Sequence, residues 1–481
     1  MFRIILLITL LFCLTIGFDV SPYLRGPAPY PPEWQWSYQF VNTLSRIYFP
    51  IIILLVFLEL FYLSETKNYL TKKHPHLFLL LVMLFSFVFQ LSILFFSRSG
   101  VSVLIHRIID PELNGYFTAA LSIHNLSDFL RNYNQTMLHF VYHAKAHPPG
   151  AILLFFFIKQ LLSFFPSVVT FANHFNPNHS DIKLLWNTLS PLDRTTAIFS
   201  SFFIPFLSTI SLVPLYSSAK ILYGTKVATR SLFLFSLVPT IVFFIPINDC
   251  FLHIFSITAF FFLVKALQTK RFLWLLLSGF VLFLGAFFNL SLLPIGILFT
   301  IFFFLSVYQH HKKPLLKIAK GGIFFALGFL LLPLFLLIVF HFNFLQVTQT
   351  IMKHVPDIHT RSYTIWIFYN LYDFFVFSGI PITIIFLTEI KQLSQNNLLK
   401  QITKIDPLFL AFLLMILILN FSGSVRGETG RLWSPYTPFL ILLVTNVITT
   451  KKNFATKFFA GFLLLQAIQI LVMQEFWVML W

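Results

Sequence analysis

Long apolar runs decide what this chain can become. Thirteen segments, near 4–18, 46–63, 77–97, 196–219, 231–247, 250–266, 272–288, 291–308, 321–341, 367–388, 407–421, 433–449 and 454–473, each approach the roughly 20 residues a bilayer-spanning helix needs. A soluble chain of 481 residues needs a polar shell, and only 10% of these residues are charged against the usual quarter or so. The expected fold class is therefore an all-α polytopic membrane protein of about 13 transmembrane helices. The only cysteines, Cys13 and Cys250, sit in apolar stretches, which excludes a disulfide scaffold and a cysteine zinc site. The net charge of +17 does not point to nucleic acid, because the basic residues flank the apolar runs.

Those basic residues assign sides. The loops around 67–73, 220–230, 265–271, 312–320, 391–404 and 451–457, with Arg3, hold 20 of the 33 lysines and arginines, so they are expected on the cytoplasmic face. Most acidic residues fall on the opposite face, Asp110, Glu112, Asp249 and Glu428 among them. The first segment follows Arg3 without a small-residue cleavage site and reads as a retained helix. The run 149–165, PGAILLFFFIKQLLSFF, would invert every later loop if it crossed. It is expected to lie along or dip into the outer leaflet with Lys159 snorkelling. Residues 98–195 then form one large external loop carrying interfacial helices. The chain divides into an N-terminal helix pair over 1–76 with an external Pro/aromatic loop, a core over 77–450, and a C-terminal helix over 451–481.

Chemistry-bearing side chains gather on the external face. The loop FDVSPYLRGPAPYPPEWQW is either an interfacial aromatic plug or a lip over a cleft, with Arg25 and Glu33 as ligands in the second case. In RIIDPELNGYF, Asp110 and Glu112 stand two residues apart just after a span. In HFVYHAKAHPPG, His139, His143 and His147 recur every four residues, a spacing that aligns side chains on one helical face and suits a metal. Pro148 and Pro149 disfavour helix at His147, however. Asp249 occupies a hairpin tip and Asn289 the next one. Arg426, Glu428 and Arg431 in SVRGETGRLWSPY suit either a surface ion pair or bidentate binding of a phosphate.

In this order the residues resemble a family. An acidic residue after a span, a long external loop, HPPG opening an apolar helix, the segment YSSAKILYGTKVATRSLFLFSLVPTIVFF, the tip PINDCFLHIF and the element RGETGRLWSPYTPFLIL are together similar to GT-C integral-membrane glycosyltransferases. These include the lipid A aminoarabinose transferases and the protein O-mannosyltransferases. The likeness covers about 77–450 and implies a GT-C-like bundle. It also implies transfer of a sugar from a polyprenyl-phosphate donor to a lipid, glycan or protein acceptor, at the external face of the plasma or inner membrane. By this resemblance Asp110 is the catalytic base, with Glu112 as the other carboxylate. His147, Asp249, Arg426 and Arg431 serve the donor and its phosphate. A divalent metal cofactor stays open. Asn289 departs from the lysine common in related enzymes. The competing classes are a lipid-linked glycan flippase and a glycan polymerase or ligase.

Overall fold

A computed structural model describes residues 1–30, 32–40, 44–67, 69–96, 100–175, 180–310, 314–354, 360–395, 405–452 and 454–478. The basic-loop residues 312–313 and 396–404 lie outside the described residues. The chain is almost wholly helical; the one sheet among the described residues pairs Ser37–Tyr38 antiparallel with Trp477–Val478.

Seven helical segments among the described residues are long and apolar enough to cross a bilayer: Tyr48–Thr66, Pro75–Phe95, Pro191–Tyr223, Asn248–Thr269, Leu290–Gln309, Pro314–Phe340 and Thr456–Phe476. Phe2–Gly17, Leu273–Phe288 and Pro407–Ser422 are apolar but shorter. Length and composition thus establish a polytopic helical protein without establishing thirteen spans. Two expected spans are not single helices. The run 231–247 stops at Ser236 and resumes only as Pro239–Phe243, because a proline at 239 drives Val238 out of the helical region. The run 367–388 straddles Gly379, whose φ of +110° separates Tyr363–Ser378 from Ile380–Gln395.

Both breaks expose backbone groups deep in the apolar bundle, and the last long helix satisfies them. Gln466 Nε2 donates to the carbonyls of Leu237 (3.3 Å) and Ser378 (3.1 Å), one at each break. Gln469 donates to the Val376 carbonyl (2.9 Å) and accepts from the Ile380 N–H (2.8 Å). Both glutamines are fully buried. Elsewhere packing depends on close approach. A Cβ on Gly279 would meet the Phe325 carbonyl at 2.1 Å, and one on Gly328 the Leu276 carbonyl at 1.9 Å. Leu273–Phe288 and Pro314–Phe340 therefore touch backbone to backbone, as small residues permit between helices in lipid.

The expected basic loops 220–230 and 451–457 meet at one end of the bundle, beside Glu65 and Glu389. Arg230 pairs with Glu65 (2.6 Å) and donates to the Phe454 carbonyl, Tyr223 donates to Asp406, and Lys451 pairs with Glu389. Phe2 packs there on Phe454 and Phe458. The opposite end carries the aromatic loop, the 98–195 element and the 425–436 segment. The 98–195 element has its own apolar core, with Leu104, Tyr133, Met137 and Ile152 fully buried, continuous with Phe283, Phe287 and Phe342. Within it the ambiguous run is the 14-residue helix Gly150–Ser163, which meets Pro166–Ala172 at 106°. Lys159 has a partner within this element: its Nζ lies 2.8 Å from Asp193 Oδ1.

Two outcomes follow from this architecture. Replacing Gln466 with Leu leaves two buried carbonyls without a donor and is expected to cost on the order of 2–4 kcal/mol, read as a lower thermal unfolding midpoint in detergent. Single cysteines at the exposed positions 183 and 225 are expected to react with an impermeant maleimide from opposite sides of the membrane; Cys13 and Cys250 are buried and stay silent.

Candidate functional site

The centre assembles where three turns converge. The helix broken at Val238 leads through Pro239–Phe243 to the tight turn Asn248–Cys250. Buried Arg107 fastens the segment leading into this turn to the helix Ser102–Ile109 by donating to the carbonyls of Phe243 (2.8 Å) and Ile245. Asp110 caps the same helix at its C-terminus. One buried guanidinium thus ties the element bearing Asp110 to the turn bearing Asp249.

Asp249 is held from several directions. Its Oδ1 accepts from Asn289 Nδ2 (3.1 Å), its Oδ2 lies 3.7 Å from Arg431 Nε, and its carbonyl accepts from the Ser434 hydroxyl (2.9 Å). Arg431 also pairs with Glu428 (2.7 Å), and Glu428 lies 3.5 Å from Arg361. The result is a chain of alternating charge, Arg361–Glu428–Arg431–Asp249. His147 and His143 face this chain. Burial first and then the positive charge of Arg431 push both imidazoles down to about 4; His147 adds to the effect on His143, which Glu428 and Asp249 partly oppose. Both rings are neutral at physiological pH. The Tyr116 ring stands 5.8 Å from that of His147, and the Tyr133 hydroxyl donates to the His147 carbonyl (2.8 Å).

Asp110 accepts from the Glu112 N–H (2.9 Å) through Oδ1, and its Oδ2 lies 3.1 Å from His106 Nε2. The Glu112 side chain is exposed. Arg426 does not turn towards Arg431. Its Nη1 donates to the Arg361 carbonyl (2.7 Å), its guanidinium stacks 5.6 Å from the Tyr363 ring centre, and Arg361 returns a bond to the Arg426 carbonyl (2.7 Å). The structure therefore groups Asp249, Arg431 and His147, ties Asp110's helix to them, and sets Arg426 on the far side of Glu428. Arg25 and Glu33 are engaged internally, Arg25 by Asp19 and the Trp36 carbonyl, Glu33 by the Ser362 N–H and the Trp366 indole.

Residues Val101, Ser102 and Ile105, on the helix that ends at Asp110, also line an apolar cleft of about 830 Å³. Its other walls are Phe87, the Val168–Phe175 stretch and the phenylalanines of Pro191–Ile210. The three spaced histidines do not form one helical face. His139 ends a 3-10 turn and is exposed, His143 lies in the short helix Tyr142–Lys145, and His147 follows it. Among the described residues no three His, Cys, Asp or Glu side chains are arranged to hold a metal ion.

No protein-family model matches the chain, and no curated protein does. Among solved structures it is similar to the crystal structure of the Archaeoglobus fulgidus oligosaccharyltransferase in complex with Zn and sulfate. The TM-score is 0.40 and the identity 12%, covering 78% of this chain and 52% of that one. The chain thus spans about half the length of that structure.

The sequence reading overlooked Arg107, Arg361, Asn370 and Asp373. The last two carried a signal: polar and ionisable side chains three residues apart inside an apolar run are functional candidates by default. The neutral histidines generate a pH dependence. An unfolded chain protonates them near 6.5, whereas the folded protein resists until about 4. Stability present above pH 6.5 is therefore lost as pH falls towards 4. The thermal midpoint is expected to drop over this window, and the His143→Gln/His147→Gln variant to flatten the drop.

Proposed function

We propose that this chain is a GT-C-type membrane glycosyltransferase, moving a hexosyl or pentosyl group from a polyprenyl-phosphate donor to a lipid, glycan or protein acceptor. The reaction takes place on the external side of the plasma or inner membrane. The observation that carries the reading is the seating of Arg431 in a sheltered polar centre, tied through Arg107 to a helix that lines an apolar cleft and ends at Asp110. A polyprenyl phosphate has the matching halves: an apolar tail and an anionic head that needs positive charge where water is scarce.

Asp110 accepts the proton of the acceptor hydroxyl as that oxygen bonds to the anomeric carbon. The bond from that carbon to the phosphate oxygen breaks, and the lipid phosphate leaves with the electron pair. Arg431 stabilises the charge that develops on it. Asp249 holds the guanidinium in place, and neutral His147 and His143 line the centre without adding charge that competes with the phosphate. The 1–76 and 451–481 segments flank a catalytic core over 77–450, and the spans number about thirteen when the shorter apolar helices, the interrupted runs 231–247 and 367–388 and the run 433–449 are counted with the long ones.

The direct test incubates purified protein with polyprenyl-phosphate sugars and an acceptor mixture and measures released polyprenyl phosphate. A flippase moves the lipid without releasing it, and that outcome would end this reading. Asp110→Asn is expected to lower turnover about a hundredfold or more, since an amide cannot take the proton. Glu112→Gln is expected to stay near wild type because that side chain points to solvent.

A further inference from the structure

The helix Tyr363–Ser378 stands between the aromatic loop and the segment carrying Arg431, and it bonds to both. On one side Tyr372 donates to the Leu24 carbonyl (2.9 Å), and Trp36 Nε1 donates to Asp373 Oδ1 (2.9 Å). On the other side the Gly430 N–H donates to Asp373 Oδ2 (2.7 Å), immediately before Arg431. Asn370 reinforces that side: its amide donates to the Val425 carbonyl (2.8 Å) and accepts from the Gly427 N–H (3.1 Å), and its own carbonyl accepts from the Thr429 hydroxyl (2.6 Å).

Asp373 is only 7% exposed, and no lysine, arginine or histidine pairs with it among the described residues. A buried carboxylate without a counter-ion is a costly way to stabilise a fold, because apolar filler does as well or better. Its particular capacity is geometric. A carboxylate accepts through both oxygens and carries no hydrogen, so it receives the Trp36 and Gly430 donors at once; an amide turns a donor towards one of them. Charge-assisted bonds of this kind are also shorter and stronger than neutral ones.

We propose that Asp373 is a positioning residue for Arg431, and that Trp36 anchors it from the aromatic loop, so that the 18–40 loop serves to aim the guanidinium at the anion. Trp36 is suited to this as a fixed post. It is 2% exposed and its ring packs on Phe377 (4.9 Å between centres) and Phe244 (5.8 Å). The inference rests on the reading of Arg431 as the phosphate contact, and its test separates the two.

The probe is undecaprenyl phosphate, whose affinity for the purified protein in detergent is measured by equilibrium dialysis. Arg431→Lys keeps the charge, loses the two-pronged geometry and is expected to weaken binding about tenfold. Asp373→Asn is expected to weaken it by a similar factor, and Trp36→Phe, which removes only the indole donor, by about threefold. The deciding measurement is the double variant. If Asp373 acts through Arg431, Asp373→Asn in the Arg431→Lys background costs no more than about twofold further. A merely structural role gives the full product, about a hundredfold, and overturns the proposal. Wild-type affinity in Asp373→Asn overturns it as well while leaving the Arg431 reading intact. Wild-type affinity in Arg431→Lys removes both. Should Asp373→Asn fail to fold, Trp36→Phe enters the same cycle, with a threefold effect that vanishes in the Arg431→Lys background as the expected result and one that persists as the refutation.

Discussion

A helix that stops within an apolar layer leaves carbonyls and N–H groups that neither lipid nor water can satisfy, and the rest of this structure depends on how two such stops are resolved. Gln466 reaches both, donating to Leu237 at one and Ser378 at the other, while Gln469 bonds on both sides of the second. A Cβ on Gly379 would lie 2.1 Å from the Gln466 side chain, so glycine is needed there for room as well as for its backbone conformation. Neither break is tolerable without these glutamines, and the interrupted helices turn back where they do because of the breaks.

What the breaks make possible is a charged centre away from bulk water. The segment after Val238 returns as the Asn248–Cys250 turn, and Tyr363–Ser378, more than a turn before its end, brings Asp373 to Gly430. Arginine and carboxylate alternate from Arg361 to Asp249, so each charge has an opposite neighbour before any ligand arrives. Such an arrangement limits the cost of burial while leaving Arg431 between two carboxylates that hold it in place. Charges held in place in this way need little reorganisation, which is the condition under which fixed charges stabilise a developing one most effectively.

Much of this was legible in the sequence where a local rule applies. The basic loops 220–230 and 451–457 do meet at one end, and Asp249 does sit in a tight turn beside the residues that bear on it. Legibility failed where the partner is distant. Nothing near Gln466 announces that its targets are at 237 and 378, and nothing near Arg107 points to 243 and 245. Lys159 was expected to reach for water because Asp193, 34 positions on, was invisible as its partner. The even spacing of His139, His143 and His147 suggested one helical face, but the backbone turns extended at Phe140 and the prolines follow His147, so the stretch falls into short elements. Arg426 and Arg431 looked interchangeable by charge, and only the turn between them, with Glu428 at a φ of +55°, sends them different ways.

The last helix carries Gln466 and Gln469 and then runs into Trp477–Val478, which pairs with Ser37–Tyr38 near the other end of the chain. A ribosome delivers these pieces in the reverse of the order in which the architecture needs them. The aromatic loop emerges early and waits, its strand edge unpaired, through the synthesis of more than four hundred further residues. The two helix breaks wait as well, with their carbonyls open until the final helix enters the membrane. Assembly of the centre therefore waits on that helix, and until it enters, the broken helices expose the unpaired polar groups that make folding intermediates prone to misassembly.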